Sequence, residues 1–306
     1  MTSIIPEHFR RHMRIVHGQD KADAWLERLP AILASCAQRW ELMLLPLVAN
    51  LSFHYVAPAI RADGTQVMVK VDSPTGEFAL EAKAMQLLSG PGMARLLEVD
   101  YEQEVLLLER LLPGTVLADL VPEQDERATS ILVETMRKIW RPAPAEHHFP
   151  TVEGYSKGFA ELRARYGENC GPFPRRLVEE AERLFVDLSA SANQHMLLHG
   201  DLHHENILRS GDEWRAIDAK GLVGDPGYET GLLFYNPMPL LSRVPDPRKL
   251  LARRVDQLAE ELAMERERIR GWGLVQCMLS CWWHVEDGYR EPPPDELACA
   301  EIMASL

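Results

Sequence analysis

The chain has 306 residues, of which 46% are hydrophobic and 26% charged, an ordinary globular composition with enough length for two lobes or domains. Its formal net charge is −13, which argues against nucleic-acid binding because such binding usually requires a basic face. No uninterrupted apolar run is long enough to span a membrane, and the charged N-terminus lacks the apolar segment of a signal peptide. We therefore expect a cytoplasmic protein with neither a membrane nor a nucleic-acid partner.

The first part of the chain predicts mixed α/β structure. Residues 21–40 show helical periodicity that is interrupted near Pro30, and a second helix is predicted at residues 77–88. Asp63-Gly64 is a strong signal for a β-hairpin between two strands. The predicted strands are residues 44–48, 53–60, 66–71, 94–99 and 104–109.

A turn signal at Leu111-Leu112-Pro113-Gly114 marks the predicted boundary between two lobes, residues 1–110 and residues 111–306. The second lobe is mainly helical, with a short β segment at residues 196–218. A β-rich lobe followed by a helical lobe predicts an α+β, two-lobed, protein-kinase-like fold. The predicted helices of the second lobe include residues 122–140, 152–166, 175–190, 248–268, 272–286 and 295–305.

The five cysteines are odd in number and lack Cys-x-x-Cys spacing, so we expect reduced and mostly buried thiols rather than disulfides or a zinc site. Two of them, four residues apart on a predicted helix, are better explained by core packing than by metal binding. The five are Cys36, Cys170, Cys277, Cys281 and Cys299.

The segment 198–208, Leu-His-Gly-Asp-Leu-His-His-Glu-Asn-Ile-Leu, combines side chains suited to phosphoryl transfer. Such transfer requires positioning and charge neutralisation more than covalent chemistry. The Asp201 carboxylate can orient an acceptor hydroxyl and take its proton, and the Asn206 oxygen can bind a metal ion. Asp218, on the next predicted strand, can bridge metal ions to phosphates. The spacing from Asp201 to Asn206 equals that of the kinase catalytic loop.

Two other interpretations of this segment stay open. A polar hairpin loop with a helix cap would need no chemistry. Alternatively, His199, His203, His204 and Glu205 offer zinc ligands. Alternating residues of a loop would point apart, however, and His199 is better explained as a hydrogen-bonding core residue that shapes the loop.

His-Gly-Asp-Leu-His-x-x-Asn followed by Ile-Asp resembles the aminoglycoside phosphotransferases and related small-molecule kinases. The run from Ile217 to Glu229 resembles the branch that contains streptomycin 6-kinases and hydroxyurea phosphotransferases, in which Asp-Pro-Lys-x-x-x-Gly-Asp-Pro is typical. The resemblance covers about residues 51–288, and Ala219 departs from it by standing where the branch has proline. It implies ATP and Mg²⁺ as cofactors, Asp201 as catalytic base, Asn206 and Asp218 as metal ligands, and Asp225 as a brace of the catalytic loop as well as a helix cap.

The first lobe is predicted to bind the nucleotide and the second to carry catalysis and acceptor binding. Lys70, on an apolar strand, would contact the α- and β-phosphates and pair with Glu81 of the following helix, with Glu77 as the rival partner. The resemblance also places the C=O of Glu109 and the N–H of Leu111 at the adenine edge. No Gly-x-Gly-x-x-Gly precedes Lys70, and backbone N–H groups or Ser52 are the candidate phosphate contacts there.

The expected activity is ATP-dependent phosphorylation of a hydroxyl on a small molecule. The resemblance points to a streptomycin-type aminoglycoside or hydroxyurea as acceptor, and to Glu286 or Asp287 as the group that binds a cationic part of it. Two alternatives stay open: a kinase of another small hydroxyl compound such as choline, an amino sugar or a sugar, and a catalytically inactive nucleotide-binding protein. The sequence does not indicate an oligomeric state.

Overall fold

The computed structural model describes residues 5–47, 54–74 and 76–306 and divides the chain into two compact units. The first unit comprises Met1–Ser89 and Ala94–Leu112, and the second comprises Gly90–Met93 and Pro113–Leu306. Helices and strands occur in both units, so the chain is of the α+β class.

The first unit is built on a five-stranded antiparallel sheet with strand order β1-β2-β3-β5-β4. The predicted hairpin joins β2 to β3, where Gly64 has a φ of 87° and Asp63 Oδ1 accepts the N–H of Thr65 at 2.8 Å. That positive φ suits glycine, which explains the Asp-Gly signal. The strands are β1 (Leu42–Leu44), β2 (Tyr55–Arg61), β3 (Gln66–Val71), β4 (Leu96–Asp100) and β5 (Val105–Glu109).

Two helices, α1 (Glu7–His17) and α2 (Gln19–Arg39), contribute to the same hydrophobic core as the sheet, and α3 (Phe78–Leu87) follows β3. The expected interruption near Pro30 is wrong, because α2 continues through this proline. Proline removes one helical hydrogen bond, but the apolar face of α2, which includes Leu29 and Leu33, is buried and holds the helix together.

The beginning of the predicted strand 44–48 is shifted, because β1 lies at Leu42–Leu44. Val48, Ser52 and the rest of the expected phosphate-contacting hairpin up to residue 53 lie outside the described residues.

The second unit is organised around α9, which packs against α6, α7, α8 and α10. Its core includes one fully buried guanidinium, Arg254, which donates to the carboxylate of Asp125 and to the backbone oxygens of Leu233 and Asn236. The helices are α4 (Asp125–Ile139), α5 (Ser156–Tyr166), α6 (Arg175–Ala190), α7 (Pro226–Thr230), α8 (Pro247–Leu262), α9 (Arg266–Glu286) and α10 (Pro294–Ala304).

Two three-stranded sheets in this unit carry the motif-bearing loops, with strand orders β10-β9-β6 and β11-β8-β7. The strand β11 was not predicted; its residues Leu222 and Val223 are buried against β8. The strands are β6 (Pro113–Val116), β7 (Arg141–Pro142), β8 (Met196–Leu198), β9 (Ile207–Ser210), β10 (Glu213–Ala216) and β11 (Leu222–Gly224). Among the helices of the described residues, none is both long enough and apolar enough to cross a membrane.

Candidate active site

Hydrogen bonds link the segments that carry the three residues of the predicted catalytic centre. The loop after β8 carries Asp201, and a 3-10 turn at His204–Asn206 leads into β9. The Asn206 side-chain amide donates to the backbone oxygen of Asp201 at 2.8 Å. The N–H of Ile217, next to Asp218, donates to the backbone oxygen of Asn206 at 2.9 Å. The loop that carries Asp201 is therefore tied directly to the segment that carries Asp218, and the catalytic role of both stays a prediction.

His199 shapes this loop from within. Its ring is fully buried, with Nε2 2.7 Å from the backbone oxygen of Ile217 and Nδ1 accepting the N–H of Asp201 at 3.3 Å. Burial lowers the pKa of His199 to about 4, so the imidazole is neutral and Nε2 carries the proton that it donates. This agrees with the structural role expected from the sequence.

Glycine is required at position 200. Gly200 has a φ of 84°, and a Cβ atom there would lie 3.3 Å from Leu222 Cβ and 3.4 Å from the backbone nitrogen of Gly221. Asp218 also adopts a positive φ, 60°, a conformation that aspartate tolerates better than most residues. The two loops therefore approach each other closely through backbone conformations that few residues can adopt.

The carboxylate of Asp201 is partly exposed and lies beside two basic groups. Its Oδ2 is 2.9 Å from Lys220 Nζ, and its Oδ1 is 3.8 Å from His203 Nε2. Burial raises the pKa of Asp201, but the Lys220 ammonium and His203 outweigh burial, and the pKa lies below its ordinary value. Asp201 is consequently ionised at neutral pH, as a proton acceptor must be.

The side chain that braces the catalytic loop is Glu229, in α7, which the sequence did not single out. Its Oε1 accepts the N–H of Gly200 at 2.7 Å, and its Oε2 accepts the indole N–H of Trp140 at 2.6 Å. Burial raises the pKa of Glu229 to about 7 in spite of these two donors. The sequence signal that could have pointed to it is that Glu229 is the one charged residue between Asp225 and Arg243.

Asp225 has a different environment from the one expected. The cap was predicted and is confirmed: its Oδ1 accepts the N–H of Gly227 at 2.9 Å at the beginning of α7. Its Oδ2 accepts from the guanidinium of Arg268 and, at 2.7 Å, from the indole N–H of Trp272. These partners tie Asp225 to α9, and the direct bond to the catalytic loop comes from Glu229 instead.

The donor set of Asn206 and Asp218 fits a magnesium ion. A carboxylate and an amide oxygen are hard ligands, which Mg²⁺ prefers. The zinc alternative gains no support from the loop, because His199 is occupied by backbone partners and His203 Nδ1 lies 2.9 Å from Glu205 Oε2. Over the described parts of the chain, the one group of three or more His, Cys, Asp or Glu side chains with converging ligand atoms lies elsewhere, at His54, Asp72 and Glu81.

That group lies around the predicted lysine–glutamate pair of the first unit. Lys70 Nζ is 2.5 Å from Glu81 Oε1, and both side chains are almost fully buried, whereas Glu77 is exposed. His54 Nδ1 lies 2.8 Å from Asp72 Oδ1. Because the Lys70 ammonium already supplies a cation to Glu81, an ion pair explains this group better than a metal does.

Of the two predicted adenine-contacting residues, Glu109 is the last residue of β5 and Leu111 follows two residues later. The Glu109 carboxylate accepts from the backbone N–H and from Nε of Arg95, at 2.9 Å each, and the Glu109 N–H donates to the Arg95 backbone oxygen. Leu111 is buried. Their contact with a nucleotide stays a prediction.

Glu286 and Asp287 are exposed at the end of α9. Partial burial, followed by the nearby charges of Glu161 and Asp287, raises the pKa of Glu286. Trp272 and Trp282 are buried in the core, as their helical spacing indicated. The end of α9 therefore presents clustered carboxylates, which stay candidates for contact with a cationic acceptor.

Comparison with solved structures identifies the fold of this protein. A choline kinase of Streptococcus pneumoniae superposes with a TM-score of 0.61 at 15% identity, covering 92% of this chain and 100% of that one. A choline/ethanolamine kinase family protein of Mesorhizobium loti gives 0.60 at 16% identity, covering 92% and 93%. The predicted α+β, kinase-like fold class is thus confirmed, because the chain shares its fold with these two kinase structures.

Sequence comparison narrows the class to one family. Residues 39–288 match the family described as aminoglycoside/hydroxyurea antibiotic resistance kinase, and the chain belongs to this family. A streptomycin 6-kinase of Streptomyces griseus is 32% identical over 94% of this chain and 93% of its own length. A hydroxyurea phosphotransferase of Kitasatospora aureofaciens is 31% identical over 95% and 83%. The protein is accordingly an ATP-using phosphotransferase that acts on a hydroxyl of a small molecule.

Proposed function

We propose that this enzyme transfers the γ-phosphoryl group of ATP to a hydroxyl of a streptomycin-type aminoglycoside, with hydroxyurea as the second candidate acceptor. The two acceptors are those named for relatives about a third identical over most of the chain. The observation that carries the proposal is the bonded assembly of Asp201, Asn206 and the segment next to Asp218. This assembly offers a base and two metal ligands within one loop system.

In the proposed mechanism, Asp201 orients the acceptor hydroxyl and takes its proton as the new bond forms. Asn206 and Asp218 would hold Mg²⁺, which supplies neutralisation of the triphosphate charge when bound. Lys70, positioned by its ion pair with Glu81, would contact the α- and β-phosphates. The backbone C=O of Glu109 and N–H of Leu111 would meet the adenine edge in the nucleotide-binding first lobe.

Charge favours the aminoglycoside over hydroxyurea. Aminoglycosides are polycations at neutral pH, whereas hydroxyurea is uncharged. Glu286 carries a raised pKa beside Glu161 and Asp287, and the whole chain has a formal charge of −13. A guanidinium or ammonium group bound there would relieve the repulsion among these carboxylates. Glu286 and Asp287 are therefore the proposed contacts for the cationic part of the acceptor.

The proposal also includes a cytoplasmic location and an active rather than an inactive protein. A cytoplasmic location provides ATP and keeps the five free, buried cysteines reduced. The inactive-protein alternative is disfavoured because five residues expected of an active kinase are present: Lys70, Glu81, Asp201, Asn206 and Asp218.

The test is an ADP-release assay with streptomycin, hydroxyurea and choline as acceptors and with mass spectrometry of the products. We expect ADP release that depends on streptomycin and a product heavier by one phosphoryl group. Asp201→Asn should lower kcat by about 10²–10⁴-fold, the usual effect of losing a positioned acid–base group. Asp212→Asn, which changes a fully exposed aspartate in the β9–β10 hairpin, is the matched control. Acceptor-independent ADP release without phosphorylated product would contradict the proposal.

A further inference from the structure

Lys220 forms an ion pair that stability does not explain. Its Nζ lies 2.9 Å from Asp201 Oδ2, yet the Lys220 side chain is 63% exposed and that of Asp201 is 26% exposed. A solvent-exposed pair of this kind contributes at most about 1 kcal/mol to folding, because water screens the charges and ordering the lysine costs entropy. A role in the chemistry at Asp201 explains the contact better.

Backbone hydrogen bonds fix the position of the Lys220 main chain. The N–H groups of Lys220 and Gly221 both donate to the backbone oxygen of His199, at 2.9 Å each. The backbone of Lys220, two residues beyond Asp218, is thus hydrogen-bonded to the loop that carries Asp201. Its backbone is held while its side chain extends into solvent beside the carboxylate.

We propose that Lys220 is a catalytic residue whose ammonium group stabilises the negative charge of the phosphoryl group during its transfer. This inference rests on the proposed kinase function. In the transfer, a bond forms between the acceptor oxygen and the γ-phosphorus, and the bond from that phosphorus to the β,γ-bridging oxygen breaks. ADP leaves with the electron pair, and the hydroxyl proton passes to the Asp201 carboxylate.

The distances allow this contact. A base that takes the hydroxyl proton lies about 2.7 Å from the acceptor oxygen. Since Lys220 Nζ is 2.9 Å from Asp201 Oδ2, it lies within about 6 Å of an acceptor oxygen that is bound at Oδ2. The flexible four-carbon stem of lysine can cover the remaining 2–3 Å or so. The ammonium therefore exchanges a carboxylate partner for phosphoryl oxygens, over which the transition-state charge is spread.

The kinetic test compares Lys220→Met, which removes the charge, with Lys220→Arg, which keeps it. Lys220→Met should lower kcat by about 10²–10³-fold, the range for a group that stabilises transition-state charge, with KM for ATP and acceptor changed by less than about threefold. Lys220→Arg should have a kcat at least about tenfold higher than that of Lys220→Met. The control variant Lys249→Met, on the exposed face of α8, should have the kcat of the wild type. A kcat for Lys220→Met within about threefold of wild type overturns the proposal.

A binding test separates this proposal from the assignment of the acceptor. Isothermal titration calorimetry would measure the affinity for MgADP alone and for MgADP with aluminium fluoride, which imitates the phosphoryl group in transfer. Lys220→Met should weaken the fluoroaluminate complex at least about tenfold more than it weakens MgADP. Equal losses overturn the proposal. If the wild type phosphorylates no acceptor, the proposed function fails, whereas this comparison still decides the role of Lys220.

Discussion

Glu229 should make the stability of this protein depend on pH in a way that one substitution removes. The side chain is almost fully buried, and its two oxygens accept the N–H of Gly200 and the indole N–H of Trp140. The perturbation is Glu229→Gln, which keeps the shape and removes the titration. A glutamine resembles a protonated glutamate, since each offers one carbonyl oxygen and one donor-bearing group.

The size of this change in unfolding free energy follows from the pKa of Glu229. An ordinary glutamate has a pKa of 4.5, and burial raises that of Glu229 to about 7. Because each pKa unit corresponds to about 1.4 kcal/mol, ionising Glu229 costs the folded state about 3 kcal/mol more than the unfolded chain. Between pH 4.5 and about 7 the unfolded chain releases this proton while the folded state keeps it. The free energy of unfolding therefore falls as pH rises through this window and is level outside it.

The assay is urea unfolding of wild type and Glu229→Gln at intervals from about pH 4.5 to pH 8, with the difference in unfolding free energy taken at each pH so that other groups cancel. We expect the unfolding free energy of the variant minus that of wild type to increase by about 3 kcal/mol as the pH rises across this range. The control, Glu260→Gln, changes an exposed residue at the end of α8 and should give a difference that does not vary with pH. A constant difference for Glu229→Gln would refute the reasoning.

Two further predictions concern the first unit and the core of the second. Lys70→Met should leave Glu81 buried without its cation and lower stability by about 3–5 kcal/mol, whereas Lys70→Met combined with Glu81→Leu should recover much of that loss without restoring nucleotide affinity. Urea unfolding measures the stability, and calorimetry with MgADP measures the nucleotide affinity. The control is Lys83→Met, on the exposed side of α3. Full nucleotide affinity in the double variant would contradict the assignment of Lys70 as a phosphate contact. Gly224→Ala would place its Cβ 2.4 Å from Val152 Cγ2 and should cost about 1–3 kcal/mol. Gly154→Ala, whose Cβ would meet its nearest neighbour at 3.5 Å, should cost less in the same unfolding assay, and equal costs would show that the packing at Gly224 can relax.

Local sequence signals predicted much of the fold. The bounds of β3 and α6 agree with the predicted residues 66–71 and 175–190, because alternation and helical periodicity are both evident there. The helix α1 was not predicted, although its two buried residues, Phe9 and Met13, lie one helical turn apart on the same face. The break expected at Pro30 was wrong because burial of one face of α2 outweighs the local effect of proline.

The residues of the candidate site likewise fall into those that the sequence predicted and one that it did not. Asp201, Asn206 and Asp218 were identifiable because their spacing along the chain is short and specific. Glu229 was not, because its partners Gly200 and Trp140 lie 29 and 89 residues away in sequence. Spacing along the chain contains no information about contacts that depend on how α4 and α7 pack.

The way in which the catalytic loop is held has a consequence for its chemistry. Glu229 binds the loop at the backbone of Gly200, Lys220 and Gly221 bind it at the backbone oxygen of His199, and Asn206 binds the backbone oxygen of Asp201. These anchors fix the loop without using the carboxylate of Asp201 or the oxygen of the Asn206 side chain. Lys220 makes an ionic contact with that carboxylate in which both charges are permanent, and its exposed side chain can move. A loop held through its backbone is rigid where geometry matters, and it leaves the Asp201 carboxylate and the Asn206 amide oxygen available for the substrate and metal that the proposed mechanism assigns to them.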